Sequence, residues 1–224
     1  MTHAAHLIDH TLLSPQATPE HIAHLCAEAR EHGFCSVCVN PVHVPQARDA
    51  LAGSAVKVCT VIGFPLGANT SACKAFEAAE AVRNGAAEVD MVMAIGLAKA
   101  GLWSQVQEDM ASVVQAVPAD TVVKVILETA LLTDEEIRKA CACAVAAGAD
   151  FVKTSTGFAC GGATVHAVAL MRACVGEDVG VKASGGIRTP EDFAAMVAAG
   201  ANRIGASAGI QLLGGNPIGV HDAY

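Results

Sequence analysis

Alanine-rich stretches and short, nearly unbroken apolar runs alternate along the chain, and a glycine marks the passage from one to the other. The mark recurs in Glu31-His-Gly-Phe-Cys-Ser-Val-Cys-Val, Asn84-Gly-Ala-Ala-Glu-Val-Asp-Met-Val, Ala147-Gly-Ala-Asp-Phe-Val-Lys and Ala199-Gly-Ala-Asn-Arg-Ile-Gly-Ala. Glycine there suits a helix C-cap, which favours positive φ, and the runs that follow are apolar enough for a parallel sheet covered on both faces. Helix starts carry signals as well. Thr18-Pro19-Glu20 and Thr189-Pro190-Glu191 put an N-cap before a first-turn proline, while Thr133 with Glu136 and Ser104 with Gln107 fit a capping box.

This pattern predicts strands near 6–10, 34–39, 56–62, 87–94, 121–128, 150–155, 179–184 and 201–206. Helices are expected near 19–32, 43–52, 71–84, 103–117, 133–147, 164–174, 190–199 and 207–213. Eight βα units in 224 residues describe one α/β domain over 1–224, a (β/α)8 or TIM barrel, with no insertion large enough for a second domain. A doubly wound open sheet is the alternative architecture. Against it, no G-x-G-x-x-G follows the first strand and no Walker sequence occurs, so no nucleotide crevice announces itself.

Composition narrows the function. Hydrophobic residues make up 53% and charged residues 16%, so much of the chain must be interior. No stretch nears the roughly 18 apolar residues of a membrane span. Met1-Thr-His-Ala-Ala-His lacks a basic region leading into an apolar run, so a cytoplasmic location is expected. Net charge is -8 without any Lys/Arg cluster, which argues against general nucleic-acid or anionic-membrane binding, so any phosphate must be held locally. The nine cysteines read as small buried hydrophobes in a reducing compartment. Cys35 and Cys38 are three apart in a strand and therefore point to opposite faces. The nine histidines form no HExxH and have no acidic companion at ligand spacing, so no metal is expected.

Barrel chemistry collects at the C-terminal ends of the strands. The ionisable residues there are Asp9, Asp90, Lys124, Glu128, Lys153 and Lys182. Each alone can be a paired structural charge, yet three lysines and two aspartates converging on one barrel mouth exceed what packing requires. Lys153 lies inside an apolar strand, where an unpaired ammonium is costly and a neutral amine is a nucleophile for Schiff-base chemistry. Reaching the neutral form near pH 7 means lowering its pKa from about 10.4 toward 7 to 8, a cost of roughly 4 kcal/mol. One ammonium about 4 Å away supplies a similar amount at an effective dielectric of 20, and Lys182 is the expected source. Asp90, which would raise that pKa, is better suited to proton transfer. Two small-residue loops, Val181-Lys-Ala-Ser-Gly-Gly-Ile-Arg188 and Arg203-Ile-Gly-Ala-Ser207, follow the seventh and eighth strands, where barrels often bind phosphate.

Seven ordered stretches resemble the DeoC family of class I aldolases over nearly the whole chain. They are Leu7-Ile-Asp-His-Thr-Leu-Leu, Val37-Cys-Val-Asn-Pro41, Thr60-Val-Ile-Gly-Phe-Pro-Leu-Gly67, Glu88-Val-Asp-Met-Val92, Lys124-Val-Ile-Leu-Glu-Thr129, Phe151-Val-Lys-Thr-Ser-Thr-Gly157 and Val181-Lys-Ala-Ser-Gly-Gly-Ile-Arg188. The resemblance implies reversible cleavage of 2-deoxy-D-ribose 5-phosphate to acetaldehyde and D-glyceraldehyde 3-phosphate, with no metal or organic cofactor, by a homodimer or tetramer. It implies that Lys153 forms the Schiff base, that Lys182 tunes it and aids proton transfer, and that Asp90 donates and accepts protons. Asp9 and Lys124 would be supporting charges, paired with each other across the barrel. Thr156 would lie near the sugar hydroxyls, and Gly157, Gly185, Gly186, Arg188, Gly205 and Ser207 around the phosphate. The chain departs from some members at Phe158 and Ser14, where they carry lysine, so the phosphate grip is expected to lean on backbone amides. Tyr224 is either a terminal bystander or, as in some members, a proton-transfer aid that reaches the site. An isomerase of small phosphorylated sugars, using the same loops with a carboxylate base, is the rival chemistry, and a silent binding barrel a third reading.

Overall fold

The computed structural model describes residues 2–214, and Tyr224 lies outside them. Eight parallel strands close into a barrel in sequence order: β1 (Ile8–Leu12), β2 (Ser36–Val39), β3 (Lys57–Ile62), β4 (Glu88–Val92), β5 (Val122–Ile126), β6 (Phe151–Lys153), β7 (Gly180–Ser184) and β8 (Arg203–Ala206). Strand β8 pairs with β1 through Ile8–Ile204 and Asp9–Gly205, which seals the cylinder. The helices are α1 (Thr2–Ala5), α2 (Pro19–His32), α3 (Val44–Ala50), α4 (Ser71–Asn84), α5 (Ile95–Lys99), α6 (Trp103–Ala116), α7 (Asp134–Ala147), α8 (Val165–Val175), α9 (Pro190–Ala198) and α10 (Gly209–Leu212). The expected TIM barrel is therefore present, and the open sheet is excluded by closure. No helix among the described residues is long and apolar enough to cross a membrane.

The caps explain where the helices begin and end. Gly33, Gly85 and Gly148 close α2, α4 and α7 in the left-handed conformation. Thr18, Thr133 and Thr189 form full capping boxes, with His21, Glu136 and Asp192 as the reciprocal partners. Ser104 is not a cap: α6 starts at Trp103, with Leu102 in the cap position and no side-chain bond, so Ser104 already sits in the first turn. Other boundaries move as well. Strand β1 runs two residues later than the expected 6–10, and β6 ends at Lys153, although Thr154 N still donates to Lys182 O on β7. Short helix α5, absent from the sequence pattern, occupies the loop after β4.

Strands, buried on both faces, place one set of side chains against the helices and the other inside the barrel. The outer set is Ile, Val and Met from every strand, packed on the apolar faces of the helices. The inner set is unusual for this architecture, whose interior is ordinarily filled by branched aliphatics. At its centre stand Asp9, Ser36, Cys59, Glu88, Asp90, Lys124, Lys153, Lys182 and Arg203, all buried.

Candidate active site

Strand register brings the charges together. Asp90 is the register partner of Lys124 on β5, and Lys153 on β6 that of Lys182 on β7. Three amines converge on one carboxylate: Lys124 Nζ meets Asp90 Oδ1 at 2.8 Å, while Lys153 Nζ and Lys182 Nζ meet Oδ2 at 2.8 and 2.7 Å. Lys182 also makes an ion pair with Asp9 Oδ2 at 2.5 Å. Gly205 leaves room for it, since a Cβ there would lie 3.0 Å from Lys182 Cε.

The expected pairing of Asp9 with Lys124 is loose, at 4.0 Å. Asp9 is held instead by Lys182, by Arg203 Nη1 at 2.7 Å and by the Ser36 hydroxyl at 2.7 Å, and Lys124 finds Glu88 at 2.6 Å. Arg203 and Glu88, 3.0 Å apart, are thus full members of the network that the sequence reading passed over. Both were visible as charges in apolar strands, but Arg203 on β8 finds its partners Asp9 and Glu88 on β1 and β4, which only closure brings together.

Burial and charge oppose one another here. Burial would raise the Asp9 carboxyl, but Lys182, Lys124 and Arg203 outweigh it and hold it below the usual carboxylate range. Asp90 is pulled well below that range, against burial, by Lys124, Lys153 and Lys182. Burial works against the charged Lys124 and Lys182, yet Asp90 and the other carboxylates raise both above the ordinary lysine value. Lys182 therefore remains an ammonium, but its charge is matched on both sides. The lone-ammonium arithmetic does not describe it, because Asp9 and Asp90 neutralise the field that a bare Lys182 would exert on Lys153.

Above the network a cavity opens at the C-terminal ends of the strands. It is lined by Thr11, Leu13, Lys153, Thr156, Gly157, Ser184, Gly185, Gly186, Ile187, Arg188, Gly205, Ala206 and Ser207. Every residue expected around the sugar and phosphate borders this one space. Within the charged network, Lys153 alone also lines it. Asp90 and Lys182 are fully buried beneath it. The Arg188 and Thr189 backbone N–H groups donate to Asp192, so Arg188 faces the cavity with its amide already used.

The loop after β6 closes onto the loop after β7. Ala163 N donates to Ser184 O and Gly185 O, and a Cβ on Gly162 would sit 2.3 Å from Gly185 O, so glycine is required for that approach. Phe158 packs edge-on against Phe64, with ring centroids 5.2 Å apart. Its side chain is aromatic and brings no cation to this rim. Ser14 does not line the cavity.

Cys38 Sγ, Cys59 Sγ and an Asp90 oxygen lie within 4.8 Å of one another, a donor set of the kind that holds soft cations. Three lysines on the same carboxylate oppose a cation there. The Cys59 thiol, pushed well up by burial and by its bond to Cys38, donates to Asp90 at 3.2 Å instead. Cys35 and Cys38 do not pair: Cys38 is buried in the barrel and Cys35 lies half-buried.

Residues 3–220 match the model of the DeoC/LacD family aldolases. A deoxyribose-phosphate aldolase of Lysinibacillus sphaericus is 60% identical over 211 residues, covering 94% of this chain and 95% of its own. One from Listeria welshimeri is 56% identical over 220 residues, covering 98% and 99%. Among solved structures, the tetrameric deoxyribose phosphate aldolase of Aeropyrum pernix superposes with a TM-score of 0.89 at 37% identity, covering 95% of this chain and 90% of that one. The chain belongs to the DeoC/LacD aldolase family.

Proposed function

We propose that the protein is a class I deoxyribose-phosphate aldolase that cleaves 2-deoxy-D-ribose 5-phosphate reversibly to acetaldehyde and D-glyceraldehyde 3-phosphate. One observation carries the assignment of roles: Lys153 is the residue at which the buried charge network meets the cavity. A nucleophile must touch substrate, whereas the groups that hold it ready can lie behind it.

In this reading the Lys153 amine attacks the aldehyde carbon of the open-chain sugar. The carbinolamine loses water to give an iminium, the C3 hydroxyl gives up its proton, and the C2–C3 bond breaks. Its electron pair passes to the iminium, leaving an enamine on Lys153 and releasing the phosphorylated aldehyde. Protonation of the enamine carbon and hydrolysis then free acetaldehyde and restore the amine. Asp90, 2.8 Å from Lys153 Nζ, exchanges the protons of these steps through that nitrogen and a water admitted from the cavity.

Charge balance gives Lys182 and the carboxylates their work. Lys124, Lys153, Lys182 and Arg203 face Asp9, Glu88 and Asp90, so four potential cations meet three carboxylates. Lys124, Lys182 and Arg203 each meet at least two of these carboxylates, whereas Lys153 meets Asp90 alone among them and also borders the cavity.

The loops at 184–188 and 205–207 take the phosphate, with backbone amides and the Arg188 side chain as donors and Thr156 near the sugar hydroxyls. No cofactor enters the reaction. The same reading has the enzyme act on free small molecules in the cytoplasm, without nucleic acid or membrane, as a homo-oligomer like its tetrameric relative from Aeropyrum pernix.

Incubation with acetaldehyde and borohydride, followed by peptide mass spectrometry, tests the chemistry. Reduced ethyl adduct on Lys153 is expected. An isomerase or a silent barrel would trap nothing, and modification at another lysine would overturn the assignment of Lys153.

A further inference from the structure

The backbone after β5 carries an anomaly that the chemistry above does not use. Glu128 is the one residue other than glycine with positive φ among the described residues, at 56°, a conformation that costs an L side chain energy. Its carboxylate is buried. Oε2 accepts from Thr156 N at 3.2 Å and from Thr156 Oγ1 at 2.5 Å, while Oε1 has no hydrogen-bond partner among the described residues. A strained backbone and a half-satisfied buried carboxylate both work against stability, and such costs gather where geometry serves function.

The hydrogen bonds at Thr156 show what that geometry does. Its hydroxyl proton is committed to Glu128, and one lone pair of Oγ1 accepts from Phe158 N at 3.0 Å. A hydroxyl has one proton and two lone pairs, so a single acceptor site remains. Thr156 lines the cavity beside Lys153. Flanking bonds from Leu127 N to Lys153 O and from Thr129 N to Thr154 O fix Glu128 to the strand that carries the lysine.

We infer that Glu128 is a positioning residue that acts through Thr156: it orients the threonine hydroxyl as an obligate acceptor, so that the cavity receives a hydroxyl-bearing carbon chain beside Lys153. The inference rests on the aldolase reading and adds a specificity determinant to it. The substrate hydroxyl must then be the donor, and a chain without one loses this contact.

Cleavage of the deoxysugar phosphate and borohydride trapping of acetaldehyde, measured in Glu128→Ala, Glu128→Gln, Thr156→Val and Glu128→Ala/Thr156→Val, test it. Glu128→Ala and Thr156→Val should each lose about ten- to hundredfold in kcat/KM, the range for one charge-assisted hydrogen bond, mostly through KM. The double variant should be no worse than the poorer single, and Glu128→Gln, still able to accept, should recover to within a few-fold of wild type. Trapping of acetaldehyde on Lys153, which needs no hydroxyl contact, should stay at the wild-type rate in the folded Glu128→Gln protein. Additive losses in the double variant, or loss of trapping in parallel with cleavage in the folded Glu128→Gln protein, would overturn the role of Glu128. If wild type itself fails to trap acetaldehyde, the aldolase reading falls instead.

Discussion

Lys153 and Lys182 stand opposite each other as register partners on β6 and β7, and both Nζ atoms end on the same oxygen, Asp90 Oδ2. Two amines sharing one carboxylate oxygen differ in what else they touch. Lys182 has Asp9 behind it and no opening to the cavity, whereas Lys153 has the cavity in front of it. The division into a permanent cation and a reactive amine follows from that difference in surroundings.

Lys182→Met should slow acetaldehyde trapping. The variant removes one of the three amines that hold Asp90 and the nearer lysine partner of Asp9, so the carboxylate that contacts Lys153 loses a fixed neighbour. Trapping on Lys153 should fall about tenfold or more, the loss of one charge-assisted hydrogen bond in the site. A trapping rate equal to wild type would show that Lys182 plays no part in holding the reactive lysine.

The network also sets a stability window. Asp9 and Asp90 are depressed relative to the unfolded value of about 3.9, so their contribution is complete above that pH and is lost as pH falls below it. Lys124 and Lys182 are raised, so theirs is complete below about 10.4 and is lost as pH rises beyond it. Between about pH 5 and 9 these groups should leave the unfolding free energy flat. Asp9→Asn strands Arg203 and Lys182 and should cost about 3–5 kcal/mol at pH 7 while flattening the acid limb. Denaturant midpoints measured from pH 3 to pH 9 decide it, and an acid slope equal to wild type would count against the linkage.

Asp90→Asn should separate imine formation from proton movement. The amide keeps the size of the side chain but cannot carry a proton away, so carbinolamine dehydration and enamine protonation slow by about 10²–10⁴, the usual weight of general acid–base catalysis. Deuterium exchange into acetaldehyde, followed by NMR, reads the second step directly. Exchange at the wild-type rate would make Asp90 a structural anchor for three lysines.

Periodicity and caps disclosed the barrel because each βα unit announces itself locally, and Gly33, Gly85 and Gly148 end helices for a reason that needs no tertiary contact. Lys153 was legible for a similar reason, as a lysine in an apolar strand. Partner choice was not. Asp9 pairs with Arg203, 194 residues away in sequence, only because β8 closes on β1, and that proximity displaces the pairing with Lys124 that the family resemblance implied. The buried pair of Lys74 and Asp109, 2.6 Å apart between α4 and α6, was hidden likewise, since on the sequence each looks like a solvated helix charge.

Gly162→Ala probes the seam over the phosphate side of the cavity. The new Cβ would meet Gly185 O at 2.3 Å, below any real contact, and both partners are backbone, so neither can rotate away. The loop after β6 must lift from the loop after β7, taking with it the bonds from Ala163 N to Ser184 O and Gly185 O. Gly185 and Gly186 border the cavity, whereas Lys153 and Asp90 are fixed by strands below, so the damage should fall on phosphate binding. KM for the sugar phosphate should rise at least tenfold, about the loss of one or two hydrogen bonds, with trapping of acetaldehyde unchanged. An unaltered KM would place the phosphate elsewhere than the 184–188 loop, and a parallel loss of trapping would mean that the seam supports the lysine as well.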